Sequence, residues 1–147
     1  MEESINQQET SLLSELHRVF GERTVDLRTY SPLTLAYIGD AVFEIIIRTL
    51  IVEKGQQAAN MLHKCTTKIV CAQTQAKMAD TLQSIMTEQE QDIYRRGKNT
   101  KLHSSAKNAS LSDYRKATGF EALCGYLFLK GETARIMELV KLALDNL

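Results

Sequence analysis

The fold is decided by residues 31–55, which read SPLTLAYIGDAVFEIIIRTLIVEKG. Ser31 followed by Pro32 is typical of a helix start, because serine caps free backbone N–H groups and proline suits the first turn. Gly55 stands where helices commonly end in a left-handed residue. The apolar residues between these signals fall on nearly all sides of a helix. The stretch therefore predicts one long central helix over residues 32–54, buried in the core.

Helical patterns also fill the remainder of the chain, which has one proline and seven glycines. We therefore expect an all-α fold of about six to seven helices. Before the central helix, the spacing predicts a short helix from Leu12 to Phe20. After it, an amphipathic piece is predicted over 57–64, then a helix that Thr66 or Thr67 opens and that runs towards Met86, and then a helix that the capping-box pair Thr87 and Glu90 opens and that runs to Arg96. Two further helices are predicted, from about Asp113 to Lys130 and from Glu132 to near the C-terminus.

Composition indicates one ordinary globular domain over residues 1–147, with residues 1–9 as a flexible N-terminus. The chain is 44% hydrophobic and 24% charged, and its formal net charge is zero. No basic segment followed by an apolar one begins the chain, and the longest apolar stretch, 41–47, is too short and too charged to span a bilayer. The three cysteines show no C-x-x-C spacing, which favours a reducing cytoplasm over a disulfide framework or a zinc site.

Two carboxylates stand out against apolar surroundings. Asp40 interrupts the central helix beside Gly39, and Glu121 lies at the edge of an apolar stripe. A carboxylate inside such a helix is costly unless it is paired or coordinates a cation. Two carboxylates on packed helices would suit a hard divalent cation, which prefers oxygen ligands. The alternative is that both are paired within the core, with Arg48, Arg115 or backbone donors.

Glu44 lies one helical turn after Asp40, on the same face. It is also four residues before Arg48, and a pair at this spacing stabilises a helix. We therefore interpret Glu44 first as the partner of Arg48.

Two segments resemble the ribonuclease III family. Residues 37–44, YIGDAVFE, look like its signature, and residues 120–127, FEALCGYL, look like its second conserved segment. The two occur in the correct order and at the correct separation. More narrowly, the sequence resembles the bacterial Mini-ribonuclease III branch at residues 33–40, 62–64, 95–99 and 126–129. The resemblance covers about residues 25–147.

The resemblance implies the ribonuclease III catalytic domain fold and a Mg²⁺-dependent endonuclease that cuts double-stranded RNA. Asp40 and Glu121 would be both catalytic and metal-binding, with Glu44 and Thr118 supporting them. Products would carry 5′-phosphates and 3′-hydroxyls, and the substrate would be the precursor of large-subunit (23S) ribosomal RNA, which a ribosomal protein could present. The family also implies a homodimer, and the helix over 32–54 is our candidate for part of its interface.

The chain departs from the usual family pattern at two acidic positions, where it has Ala36 and Thr118. This departure supports an alternative, a catalytically inactive relative that binds RNA or the ribosome. However, the Mini-ribonuclease III branch resembles the chain at these positions too, so Asp40 and Glu121 are expected to suffice, with water in the vacated places. A generic helical interaction protein is a further alternative. We expect no separate double-stranded-RNA-binding domain after residue 147.

The longest loop, residues 97–112, is predicted to recognise RNA. No acidic residue occurs between Asp92 and Asp113, and the expected footprint of an RNA site is a surface of positive charge. The alternative is a solvated basic loop without a ligand. The predicted contacts to phosphates and 2′-hydroxyls are Arg95, Arg96, Lys98, Asn99, Lys101 and Lys107.

Overall fold

The computed structural model describes residues 11–22, 25–101 and 110–147, and within these ranges the chain is helical without a strand. The predicted all-α fold is confirmed. The N-terminal residues 1–9 lie outside the described residues. The helices are α1 (Leu12–Phe20), α2 (Pro32–Val52), α3 (Ala59–Val70), α4 (Ala72–Leu82), α5 (Glu88–Lys98), α6 (Leu111–Leu129) and α7 (Thr133–Asp145), with a 3-10 turn at Leu27–Thr29 before α2.

Local capping accounts for several of the helix starts. The Ser31 hydroxyl accepts a hydrogen bond from the backbone N–H of Thr34 at 3.2 Å, as the Ser-Pro signal predicts. The capping box at α5 is also present. There the Thr87 hydroxyl accepts from the Glu90 N–H at 3.2 Å, and the Glu90 carboxylate accepts from the Thr87 N–H at 2.9 Å. Each bond satisfies a backbone donor that the helix itself leaves free.

The prediction that a helix opens at Thr66 or Thr67 is wrong. Both residues lie inside α3, where their hydroxyls donate to the carbonyls of Leu62 and His63, each at 2.9 Å. Threonine can bond backward in this way as well as cap a helix, so its presence alone does not mark a start. The break falls instead at Cys71, whose backbone is extended, with φ −74° and ψ 155°.

The prediction that α5 ends at Arg96, before Gly97, is also corrected, since the helix continues to Lys98. Gly97 serves close packing instead. A Cβ built on it would lie 2.8 Å from the Cα of Gly119 on α6. The helix after the loop begins at Leu111, capped by Ser110, so the connection is shorter than the sequence predicts.

Helix α6 is the centre of the fold and packs against α2, α4, α5 and α7. Its Phe120 meets Phe43 of α2 edge to face, with ring centroids 5.0 Å apart, and both side chains are fully buried. Helix α2 is buried on one side only, which corrects the prediction of burial all round. On its other side Tyr37 is 83% exposed and Ile45 is 58% exposed.

No helix within the described parts of the chain combines the length and the apolar character that crossing a bilayer requires.

Candidate active site

Helices α2 and α6 cross with their backbones in direct contact. A Cβ on Gly39 would lie 1.7 Å from the carbonyl oxygen of Glu121, and a Cβ on Gly125 would lie 1.9 Å from the carbonyl oxygen of Leu35. No side chain fits at either position. The crossing therefore brings Asp40, the neighbour of Gly39, close to Glu121, although the two are 81 positions apart in the sequence.

Asp40 and Glu121 line the same open cleft, of about 430 Å³, beside this crossing. Asp40 is exposed and Glu121 is half-buried. The expected neighbours Glu44 and Thr118 also line the cleft, as does Ala36. The remaining lining residues are Leu33, Tyr37, Ile38, Ala41 and Tyr114.

The cleft brings three carboxyl groups together, those of Asp40, Glu44 and Glu121. Burial raises the pKa of Glu121 to about 8, and the negative charge of Asp40 contributes to the rise. Partial desolvation also raises the pKa of Asp40, with a further contribution from the negative charge of Glu44. Each carboxylate therefore makes the charged form of its neighbour more costly, and a bound cation would relieve this repulsion.

Neither Asp40 nor Glu121 pairs with a Lys, Arg or His side chain of the described residues, so the core ion pair considered from the sequence does not form there. Arg48 pairs instead with Glu44, with 2.9 Å between Nε and Oε1, as the four-residue spacing predicts.

The donor set fits a hydrated hard cation. Among the residues that the structure describes, no group of three or more His, Cys, Asp or Glu side chains could enclose a metal ion. Two carboxylates in an open cleft match Mg²⁺, which commonly binds through one or two carboxylates and keeps several waters. The Thr118 hydroxyl donates to the carbonyl of Tyr114 at 3.0 Å, and Ala36 supplies no ligand.

The predicted RNA-binding residues that the structure describes do not all line one cleft. Lys98 and Asn99 line a second cleft, of about 350 Å³. Arg95 lines a different cleft and pairs with Asp92 on its own helix. Of the others, Arg96 is half-buried and Lys101 is exposed, while Lys107 lies outside the described residues.

The second cleft also contains Arg115 and Lys116 of α6, two basic residues that were not among the predicted RNA contacts. Lys116 pairs with Asp80 at 2.9 Å, while Arg115 is exposed and has no ion pair with a described residue. Their signal in the sequence was adjacency, since Arg115 and Lys116 follow the basic loop and precede Glu121 on one helix.

The class of protein follows from comparison of this helical domain with known families. Residues 33–132 match the family model described as the ribonuclease III domain. A Mini-ribonuclease 3 of Clostridium tetani is 48% identical over 121 residues, which cover 82% of this chain and 80% of the relative. The chain belongs to the ribonuclease III family, and the resemblance to its Mini-ribonuclease 3 branch is confirmed.

Two further comparisons agree with this assignment. A Mini-ribonuclease 3 of Symbiobacterium thermophilum is 44% identical over 117 residues, covering 80% of this chain and 90% of the relative. A crystal structure of a protein from Fusobacterium nucleatum superposes with a TM-score of 0.76 at 26% identity, covering 83% of this chain and 99% of that one. The predicted fold is therefore confirmed by a solved structure.

Proposed function

We propose that the protein cleaves double-stranded RNA by Mg²⁺-dependent hydrolysis in the cleft that Asp40 and Glu121 line, and that it acts in the cytoplasm on the precursor of large-subunit (23S) ribosomal RNA. The family makes it an endoribonuclease that acts on double-stranded RNA. The observation that carries the proposal is the α2–α6 crossing, which brings two carboxylates without a cationic partner into one open cleft.

Asp40 and Glu121 hold the cation in this proposal. Their oxygens supply the hard ligands that Mg²⁺ prefers, and the open side of the cleft leaves room for water and a phosphate. When bound, Mg²⁺ supplies a Lewis acid for the scissile phosphate and positive charge for the leaving oxygen. Glu44, held by Arg48, adds negative charge beside Asp40.

The second cleft is the proposed contact for the RNA backbone. Arg115 and Glu121 lie six residues apart on α6, which corresponds to about 9 Å along the helix axis. The Gly97–Gly119 contact holds the end of α5, with Lys98, against the same helix. Lys98 also lies over the Tyr94 ring, with Nζ 5.8 Å from its centroid. Phosphates near the candidate metal site would therefore meet fixed positive charge.

We also propose that the protein is a homodimer with the open face of α2 in its interface. Leu33, Tyr37 and Ile45 are large apolar side chains that lie exposed on this one helix. An apolar face of this kind is typical of an interaction surface. Sedimentation equilibrium tests it, with Tyr37→Glu expected to shift the protein from dimer to monomer. A wild-type monomer would contradict the proposal.

Cleavage of a long RNA duplex, with and without Mg²⁺, tests the activity. We expect Mg²⁺-dependent products with 5′-phosphates and 3′-hydroxyls, and loss of cleavage in Asp40→Asn and in Glu121→Gln. Asp145→Asn is the matched control, because it removes an exposed carboxylate on α7 and should leave cleavage unchanged. A folded wild-type protein that binds the duplex without cutting it would favour the inactive relative, consistent with Ala36 and Thr118.

The ribosomal substrate needs a test of its own. Cleavage of a 23S precursor with paired ends should occur at defined positions and faster than cleavage of a duplex of arbitrary sequence. Addition of large-subunit ribosomal proteins tests whether one of them presents the RNA. Equal rates on both RNAs, with and without these proteins, would contradict the assigned substrate while leaving the nuclease activity in place.

A further inference from the structure

Lys116 lines the second cleft, but its charge is balanced by Asp80 of α4. The Lys116 Nζ lies 2.9 Å from Asp80 Oδ1 and donates to Oδ2 at 3.0 Å, so one ammonium group meets both carboxylate oxygens. The two residues are 36 positions apart in the sequence. The packing of α4 against α6 brings them together.

The other two basic side chains of this cleft have no such partner. Neither Arg115 nor Lys98 forms an ion pair with a residue in the described ranges, and Lys98 lies instead over the ring of Tyr94. Among the described residues, no acidic side chain lines the cleft itself. Asp80 is therefore the carboxylate that the structure shows in contact with a cation of the second cleft.

The core fixes the position of Asp80. Ala79 and Leu82, on the same helix, are fully buried, and Ala117, next to Lys116, is buried as well. The Asp80 side chain itself is 55% exposed. Because α4 cannot move away from α6, the carboxylate stays near the cleft even when the Lys116 side chain changes conformation.

Stability is a weak reason for this pair, since ion pairs with an exposed partner contribute little to folding. Its effect on a ligand is larger. A phosphate that approaches Lys116 meets a lysine that already has a counter-charge, and the nearby carboxylate repels it. Arg115, in contrast, can neutralise a phosphate directly and release its counterions.

We propose that Asp80 is a restraining residue, which withholds the charge of Lys116 and so limits how tightly the second cleft holds the backbone of duplex RNA. This inference rests on the proposed function, in which the second cleft contacts the RNA. Phosphate contacts carry no sequence information, so the restraint acts on every duplex alike and lowers the affinity for product as well as for substrate.

Asp80→Asn tests the restraint, because it removes the negative charge and keeps an oxygen that can accept a hydrogen bond from Lys116. The readout is the affinity for a duplex RNA, measured by fluorescence anisotropy across a salt series without Mg²⁺, with circular dichroism to establish folding. We expect tighter binding and a slope of log affinity against log salt that is steeper by about 1, as for one more phosphate contact. The ratio of variant to wild-type affinity should therefore rise about 10-fold between about 1 M and about 0.1 M salt.

Asp145→Asn is the matched control. Asp145 also meets one lysine ammonium with both carboxylate oxygens, that of Lys141 on α7, at 2.8 and 2.7 Å. The substitution changes the net charge equally and frees a lysine in the same way, but neither residue lines the second cleft. Its slope should equal that of the wild type, and so should the slope of Asp80→Glu, which keeps the charge.

A positioning role, in which Asp80 holds Lys116 towards the RNA, predicts the opposite sign for Asp80→Asn, with weaker binding and a shallower slope. That result, or an unchanged slope in the folded variant, would overturn the inference. An equal increase in Asp145→Asn would also overturn it, because the effect would then belong to the net charge of the protein. If Asp80→Asn does not fold, Asp80→Ala decides the matter in the same way, since alanine suits an exposed helix position.

The failure of the proposed function gives a different result. If the wild type does not bind the duplex, or if Arg115→Ala leaves the slope unchanged, the second cleft is not the RNA contact and the role of Asp80 falls with it. If Arg115→Ala lowers the slope and Asp80→Asn leaves it unchanged, only the restraint by Asp80 is wrong.

Discussion

Arg135 of α7, which is half-buried, forms an ion pair with the buried Glu90 of α5. Its Nη2 lies 2.8 Å from Glu90 Oε1, and its Nε lies 2.9 Å from Glu90 Oε2, so both carboxylate oxygens are engaged. Nη2 also donates to the carbonyl of Ile85 at 3.0 Å. Because Glu90 closes the capping box with Thr87, this pair ties the last helix to the start of the helix that carries Lys98.

Arg135→Met should destabilise the protein by about 3–5 kcal/mol, because it leaves the buried Glu90 carboxylate without its partner. Glu90 is 4% exposed, so water cannot replace the lost hydrogen bonds. Urea denaturation monitored by circular dichroism measures the change. Lys141→Met is the control on the same helix. Lys141 and its partner Asp145 are both exposed, so Lys141→Met should lower the free energy of unfolding by less than about 1 kcal/mol. Equal losses of unfolding free energy in the two variants would show that the Arg135–Glu90 pair stabilises the protein no more than an exposed pair does.

The same pair predicts a pH dependence of stability. Hydrogen bonds from Arg135 hold the pKa of Glu90 below its ordinary value of 4.5. A carboxyl whose pKa is lowered by folding stabilises the protein above the unfolded pKa, and that contribution is lost as the pH falls through the folded pKa. The difference in unfolding free energy between wild type and Arg135→Met should therefore shrink from about pH 6 to about pH 3. A constant difference across this range would show that Glu90 is not the linked group.

Gly39→Ala should prevent normal packing of α2 on α6, since the new Cβ would lie 1.7 Å from the carbonyl oxygen of Glu121. Alanine favours a helix by about 1 kcal/mol over glycine, but the overlap outweighs this gain. We expect a net loss of about 3 kcal/mol or more, seen as a lower midpoint of thermal unfolding. Thr49→Ala, at an exposed position of the same helix, should change stability little. An unchanged Gly39→Ala would contradict the close crossing.

Arg115→Ala should weaken binding of duplex RNA without altering Mn²⁺ affinity. Arg115 lines the second cleft together with Lys98 and has no ion pair with a described residue, so its charge is available to a phosphate. Loss of one phosphate contact lowers the slope of log affinity against log salt by about 1. Fluorescence anisotropy across a salt series measures this slope. Lys141→Ala, on α7, should leave it unchanged. Equal slopes in wild type and Arg115→Ala would remove Arg115 from the interface.

Much of the fold could be read from local signals. Ser31 with Pro32 predicted the start of α2, and Thr87 with Glu90 predicted the start of α5, because a cap joins residues within one helical turn. Threonine is an ambiguous signal of a helix start, because its hydroxyl has two local uses. Thr66 and Thr67 could cap a helix or bond backward inside one, and the nearby sequence does not distinguish the two.

The sequence by itself determined an all-α chain of the ribonuclease III family and selected Asp40 and Glu121 as candidates, because capping, helical periodicity and two ordered motifs all lie within short segments. Only the tertiary structure decided that Gly97 lies within α5 and packs against α6, that one face of α2 stays exposed, and that Arg115 and Lys98 line the same cleft. Each of these depends on contact between helices distant in sequence. The sequence does not distinguish a glycine that ends a helix from a glycine that lets two helices cross closely, because only the neighbouring helix makes the difference.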